Sequence, residues 1–525
     1  MRGKAIMVQG TGSHVGKTLV VAGLCGLLAR AGFRVAPFKS QNMSLNSYVT
    51  LDGKEISRAQ ALQAFAAGLE PRVEMNPILL KPKGGMKSEI VLRGEHYADV
   101  TTREYHSRFA LNQGLVAVKE SLQSLLSEYE VVVIEGAGSP AEINFAETEI
   151  VNMRVAKLAR APVLLVADIE RGGVFASIVG TLSLLSRQER EMVKGFVINK
   201  FRGELSLLDP GLRRLEEITG KPVLGVMPYV EGLDLPWEDS VSLEGLDRSR
   251  GAAMDVAVVQ LPHISNFTDL QPLASAGARI RRVRSAGEVG YPDVVVLPGT
   301  KNTVADLLWL KERSLDREIV RLRGDGVPIV GICGGYQMLG ERVLDPRGLE
   351  GGEPGRYEGL GLLGVTTTFD SRAKTTRRVA AKVVGGGPIF GRIKGRRLRG
   401  YEVHMGESER RRGGALFEVS PTNPRSGSGE DGALSPDGLV FGSYLHGIFD
   451  DGWVADALLS YVSEKKGSAA RVRARADVET TWERGLEKLC DSMRDSVDVA
   501  RIFGIAGIRA DRVRATWRLS KPASS

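Results

Sequence analysis

Two stretches of this chain carry residue types, at spacings, that do chemistry. The first is Val330-Gly331-Ile332-Cys333-Gly334-Gly335-Tyr336-Gln337, where an apolar run ends, a small-residue turn presents a cysteine and a helical pattern begins. That is the pattern of a nucleophile elbow. The flanking glycines permit a strained turn, and a helix N-terminus favours thiolate over thiol. A buried structural cysteine would not need glycine on both sides. A thiolate needs a base, and of the six histidines His446, in Gly442-Ser443-Tyr444-Leu445-His446-Gly447, ends a strand-like run in the same half of the chain. His404, in Gly400-Tyr401-Glu402-Val403-His404-Met405-Gly406, is the alternative. The charge of a tetrahedral intermediate needs donors. The N–H of Gly334 is one candidate, and the strand-end turn at Gly299 and Thr300 supplies the second.

The second stretch is Gln9-Gly10-Thr11-Gly12-Ser13-His14-Val15-Gly16-Lys17-Thr18, at the end of an apolar run and ahead of a helical pattern. It is a variant phosphate loop, with five residues between Gly10 and Gly16 where the strict pattern has four. Gly10, Thr11, Gly12, Val15 and Gly16 lay backbone N–H groups against phosphates, Lys17 neutralises charge, and Thr18 holds Mg²⁺. A carboxylate at the end of a neighbouring strand completes such a site. Glu135, in Ile134-Glu135-Gly136-Ala137-Gly138, and Asp168, in Ala167-Asp168-Ile169-Glu170, are the candidates. Asn199 ends another apolar run and is a candidate for the adenine edge. ATP and Mg²⁺ are therefore the expected cofactors. Gln41, Asn42, Asn46, Arg58 and Gln60 crowd amides and a guanidinium near this loop, which suits a ligand rich in carboxylates and carboxamides. An amphipathic surface helix over residues 56–68 would explain the glutamines equally well.

These groups need an α/β scaffold. Apolar runs at 5–9, 131–134, 163–167, 195–199 and 223–227 alternate with helical periods, as buried parallel strands with crossover helices do. We expect a doubly wound phosphate-loop domain over residues 1–235, a polar linker over 236–252, a second α/β domain over 253–452 and a helical C-terminal extension over 453–525. Runs at 363–368, 379–384, 399–404 and 439–445 lack long helices between them and predict an antiparallel addition to the second sheet. The Ser/Gly/Pro/Asp-rich stretch 422–437 predicts a surface loop.

The 525 residues are 42% hydrophobic with 63 glycines and 6% aromatics, which fits two or three α/β domains. Three cysteines without a CxxC pair make neither a disulfide framework nor a zinc site. The net charge of +8 mixes 71 basic with 63 acidic residues and comes with no aromatic–basic motif, so an anionic small molecule explains it without nucleic acid. No apolar run is long enough for a membrane span, and the expected location is cytoplasmic. The oligomeric state is not encoded in any pattern here.

The first half resembles the dethiobiotin-synthetase-like branch of phosphate-loop proteins, through its long Gly-Thr-x-x-x-Val-Gly-Lys-Thr loop and its Glu135-Gly136-Ala137-Gly138 strand end. That resemblance implies ATP-dependent activation of a carboxyl group. The second half resembles class I glutamine amidotransferases through Gly331-Ile332-Cys333-Gly334-Gly335-Tyr336-Gln337. Their usual third catalytic residue, a Glu two positions after the His, is Ile448 here, so another group orients His446 or the site is a Cys–His dyad. The combination resembles the cobalamin-pathway amidotransferases. Lys39-Ser40-Gln41-Asn42-Met43-Ser44-Leu45-Asn46-Ser47, residues 52–64, Asn76-Pro77-Ile78-Leu79-Leu80-Lys81-Pro82 and Glu170-Arg171-Gly172-Gly173-Val174-Phe175 resemble one branch of them. That branch is implied to amidate the b, d, e and g side chains of adenosylcobyrinic acid a,c-diamide, with glutamine as the second substrate. The sister branch that amidates the a and c side chains is the near alternative. A partitioning-type switch ATPase would leave Cys333 and His446 unexplained.

Overall fold

The structure, a computed structural model, describes residues 3–84, 86–236, 254–350, 353–422, 428–467 and 477–508. The expected linker falls outside the described residues except for Pro236, as do residues 423–427 of the expected loop and the chain end from 509.

The first half is built on six parallel strands in the order Val223–Pro228, Val193–Phe201, Val163–Asp168, Lys4–Gly10, Val131–Glu135, Val35–Phe38. These segments are apolar on both faces because both faces are covered. On one face Met7, Phe38, Ile134, Leu165 and Phe196 pack with Val118, Leu122 and Leu125 of the helix Leu115–Glu128. On the other, Ile6, Val8, Val133 and Val166 pack against the helix Lys17–Arg30, apolar nearly all round because it is sandwiched. Its outer cover is the C-terminal extension: Trp482, Leu486, Leu489, Cys490 and Met493 of the helix Val478–Ser496 join the same core. Gly23 and Gly26 make that approach possible, since a Cβ on either would lie 2.8 Å from Met493 Cε or 2.6 Å from Cys490 Sγ. The extension thus returns to cap the first half. No helix among the described residues is long and apolar enough to cross a membrane.

The second half centres on the strands Arg279–Val283, Asp255–Val259, Val294–Leu297, Ile329–Ile332 and Val440–Ser443, all parallel, with Ala433–Leu434 antiparallel at the edge. The expected antiparallel addition is instead two separate four-stranded sheets. One is antiparallel throughout, in the order Arg397–His404, Thr375–Val383, Phe417–Pro421, Gly429–Asp431; the other is mixed and holds Val365–Thr368. The run ending at His446 belongs to neither. Val440–Ser443 is buried on both faces and pairs in parallel with Ile329–Ile332. The expected surface loop also contains structure: Asp431 is buried, and its carboxylate accepts from Ser443 Oγ and from Tyr444 N at 3.2 Å.

The first half carries a smaller sheet that hydrophobic period alone did not predict: Gln41–Met43, Ile78–Gly84, Lys87–Leu92 and Glu95–Thr101. With the hairpin Ser47–Val49/Glu55–Ser57, it carries residues that contact the second half. Val49 packs with Tyr401 and Val403, and Arg378 Nε donates to Val49 O at 2.6 Å.

Candidate active sites

In the second half, three adjacent parallel strands deliver their C-terminal ends to one place. Thr300 follows Leu297, Cys333 follows Ile332 and His446 follows Ser443. Cys333 sits at φ 51°, ψ −109°, a backbone strained for a side chain with a Cβ, and its N donates to Ser443 O at 2.8 Å. The glycines of the elbow answer to space: a Cβ on Gly335 would lie 2.0 Å from Leu297 O, and one on Gly334 2.5 Å from Thr300 Cγ2. Gly334 and Thr300 are therefore neighbours, as a shared anion site requires, while Gly299 abuts His446, 3.2 Å from a Cβ to Cε1. Gln337 buttresses the turn, accepting from Thr303 Oγ1 at 2.7 Å and donating to Met405 O and Tyr444 Oη at 3.0 Å.

The group that orients His446 is Asp269. Its Oδ2 lies 2.7 Å from His446 Nδ1, and its Oδ1 accepts from Gly447 N at 2.8 Å. Both side chains are buried, 1% and 2% exposed. Burial opposes charge on the imidazole, but Asp269 and then Cys333 outweigh it and push His446 up to about 10. Asp269 lies in the one-turn helix Phe267–Leu270, some 180 positions before the histidine, so no local spacing marks it. His404, the alternative base, lines the Cys333 pocket but stacks on Tyr444, with its Nδ1 3.2 Å from Gly406 O; burial pulls it down to about 4.

In the first half, Thr11 N donates to Val166 O at 2.9 Å and Gly16 takes φ 96°. Gly10 leaves room for Lys17 to fold over the loop, its Nζ 2.7 Å from Gly12 O and 3.2 Å from Gly138 O. Thr18 Oγ1 donates to Glu135 Oε1 at 2.9 Å, so two hard oxygen donors meet at the loop. This donor set fits Mg²⁺, which takes one or two protein oxygens and fills the rest of its shell with water and phosphate. Asp168 pairs with Lys200 at 2.8 Å, and the same ammonium donates to His14 O of the loop at 2.7 Å. Asn199 lies under the loop, its Nδ2 donating to Val15 O at 2.9 Å and packing on Gly16. That amide shapes the loop. A cleft of about 780 Å³ runs from His14, Gly16 and Thr18 past Lys200 to Arg202 and Tyr229, with the Arg202 guanidinium 3.5 Å above the Tyr229 ring.

Of the expected acceptor residues, Arg58 edges a cavity of about 340 Å³ with Tyr48, Tyr401 and Trp482, and Gln41 lines a second open space. Gln41 borders a cavity of about 230 Å³ with Met43, Tyr105, Ala137, Ser139 and Phe145, next to the Gly138 carbonyl that touches Lys17. Asn42 and Gln60 are buried: Asn42 Nδ2 donates to Ser57 Oγ and Gln60 Oε1, and Gln60 Nε2 donates to Glu135 Oε2. With Lys39 and Gln63 they surround and hold the Glu135 carboxylate. Asn46 is buried, its carbonyl accepting from Arg58 N. Arg58 is buried between the halves, against Tyr401 Oη at 3.3 Å, Asp450 at 3.5 Å and the Trp482 ring. Amides and a guanidinium in sequence do not reveal which are turned inward, and these four are.

A buried charge cluster joins the two halves beside the Cys333 pocket. Lys81 meets Glu55; Lys374 reaches Glu55 at 2.5 Å and Glu89 at 3.3 Å; Lys301 reaches Glu89 at 2.8 Å. Burial alone would raise the Glu89 carboxyl, yet Lys301 and Lys374 hold it well below the usual carboxylate range. Removing one member leaves charge uncompensated. Glu55→Ala, stranding a Lys81 side chain 1% exposed, is expected to cost about 3–5 kcal/mol, read from the urea midpoint of the intact chain.

Residues 6–240 match the CobQ/CobB/MinD/ParA nucleotide binding domain family, and residues 255–453 match the CobB/CobQ-like glutamine amidotransferase domain family. The chain is 49% identical to the cobyric acid synthase of Pelotomaculum thermopropionicum, covering 97% of this chain and 98% of that one. It is 48% identical to that of Moorella thermoacetica, over 96% and 98%. With the probable cobyric acid synthase of Methanosarcina mazei it shares 47%, over 97% and 100%.

Proposed function

The chain belongs to the cobyric acid synthase family, glutamine-dependent amidating ligases of cobalamin biosynthesis, and on that premise we propose which residues act and on what. The substrate is adenosylcobyrinic acid a,c-diamide, amidated at its b, d, e and g carboxylates. The observation that carries the nitrogen-donor half is the strained elbow of Cys333 beside a histidine held by a buried aspartate.

Cys333 is the nucleophile. His446, with Asp269 on its Nδ1, takes the thiol proton and returns it to the leaving nitrogen, so glutamine gives ammonia and a glutamyl thioester that water hydrolyses to glutamate. Gly334 and Thr300 lie where backbone N–H groups meet the oxyanion. At the other site Lys17 moves from the Gly12 and Gly138 carbonyls to ATP phosphates and stabilises charge as the side-chain carboxylate takes the γ-phosphoryl group, giving an acyl phosphate and ADP. Thr18 and Glu135 would hold Mg²⁺, which supplies charge neutralisation on the phosphates. Ammonia then displaces phosphate from the acyl carbon. The cavity bordered by Gln41 and Ser139, beside the Gly138 whose carbonyl Lys17 touches, supports entry of the carboxylate from that side.

Mass spectrometry of the corrinoid after incubation with ATP, Mg²⁺ and glutamine tests this. Each acid-to-amide conversion lowers the mass by about one unit, the difference between OH and NH₂. A ladder ending at four conversions is the expected result; an unshifted corrinoid sinks the substrate assignment.

A further inference from the structure

Glu135 is the carboxylate that the phosphate loop offers to a metal, and it is fully occupied. Its Oε1 accepts from Thr18 Oγ1 at 2.9 Å and from Lys39 Nζ at 2.6 Å. Its Oε2 accepts from Gln60 Nε2 at 3.3 Å and from Gln63 Nε2 at 2.5 Å. A carboxylate has about four lone-pair positions, so none is left over for a cation. Glu135 is 1% exposed and Lys39 4%, so solvent screens the pair little.

The four donors are not equivalent. Gln60 and Gln63 belong to the helix Arg58–Ala66, and each is tied a second time, Gln60 Oε1 to Asn42 Nδ2 at 3.1 Å and Gln63 Nε2 to Thr18 O at 3.3 Å. Both are neutral. Thr18 Oγ1 is itself a hard oxygen ligand. Lys39 alone brings a full positive charge, and it brings it to the oxygen that Thr18 shares. The sheet puts it there: Phe38 pairs with Ile134, so the next residues, Lys39 and Glu135, leave neighbouring strands side by side. A metal held by Thr18 would turn to that same oxygen, and two cations at one buried oxygen repel strongly. Resting on the phosphate-loop reading above, we propose that Lys39 is the resident counter-charge of Glu135 and selects which metal species enters. In the ligand-free chain its ammonium excludes free divalent cations. Mg²⁺ enters as its nucleotide complex, whose phosphates add the negative charge that a second cation needs.

Mn²⁺ is the probe, because it takes the same oxygen ligands and its electron paramagnetic resonance signal distinguishes free from bound ion. The full-length protein is titrated without nucleotide. Lys39→Met is expected to tighten the Mn²⁺ Kd by about tenfold or more relative to the unsubstituted chain. Lys39→Gln, which still donates a hydrogen bond to Oε1 but carries no charge, shifts the Kd in the same direction and serves if Lys39→Met does not fold. Lys39→Arg keeps the cation and keeps the Kd of the unsubstituted chain. Adding Glu135→Gln to Lys39→Gln abolishes the gain. A lysine that only fills space would leave the Kd of Lys39→Gln unchanged, and that result overturns the proposal. So does a gain that survives Glu135→Gln, since the metal is then held elsewhere. The phosphate-loop reading fails differently: the protein would not retain the Mn²⁺ complex of the β,γ-methylene analogue of ATP in equilibrium dialysis.

Discussion

Cys333→Ala is expected to lower glutamine-dependent amidation by about 10⁴-fold or more, while amidation from ammonium salts persists. The reason is positional. Cys333 is the thiol at the end of Ile329–Ile332, strained at φ 51° and facing the pocket that Asn266, Thr300 and His404 line. The other two cysteines cannot replace it. Cys25 and Cys490 are buried together in the first half, where burial pushes both thiols up. On the proposed mechanism ammonium bypasses the elbow, because the acyl phosphate would form at the separate phosphate loop. Lys17→Ala is the complement: with the phosphate charge unopposed, both nitrogen sources fail. Assaying each variant with glutamine and with ammonium chloride checks the pair. Full glutamine-dependent activity in Cys333→Ala would remove the nucleophile assignment.

Asp269→Asn is expected to cost a comparable factor, about 10⁴-fold in glutamine-dependent kcat, with ammonium-dependent activity again retained. The amide keeps the size of the side chain but loses the charge that outweighs the burial of His446. The sign follows from linkage. A histidine raised to about 10 by its partners gives stability that is complete below its unfolded value of about 6.5 and lost as pH rises through about 10. The imidazolium that protonates the leaving nitrogen persists over the same window. The alkaline limb of the glutaminase profile therefore lies near 10 in the unsubstituted enzyme and moves toward neutrality in Asp269→Asn. The two limbs belong to the Cys333–His446 pair together. A variant profile superimposable on the original would mean that Asp269 does not act through His446.

The two candidate sites were legible because their patterns are local. A phosphate loop and a nucleophile elbow are both a strand, a glycine turn and a helix start within about ten residues, and the constraints that make them work appear as glycines at fixed offsets. Gly16 at φ 96° and Gly335 against Leu297 O are the physical content of those letters. His446 was legible for the same reason, as the end of an apolar run. The parallel sheets followed from runs apolar on both faces. The reading of the run 439–445 as antiparallel went astray because hydrophobic content fixes burial and leaves pairing direction open.

Tertiary structure alone decided which carboxylate pairs with His446, the fate of the polar residues near the phosphate loop and the place of the C-terminal extension. Asp269 is one of 63 acidic residues, and only the fold sets it 2.7 Å from His446. Asn42, Gln60 and Arg58 have the chemistry of ligand residues, yet they turn inward to hold Glu135 and to join the halves. A side chain's type sets which bonds it makes. Which partner it finds is settled by packing between segments far apart in the chain, and that is why the sequence by itself marked two candidate sites and the tertiary structure determined how they are held and joined.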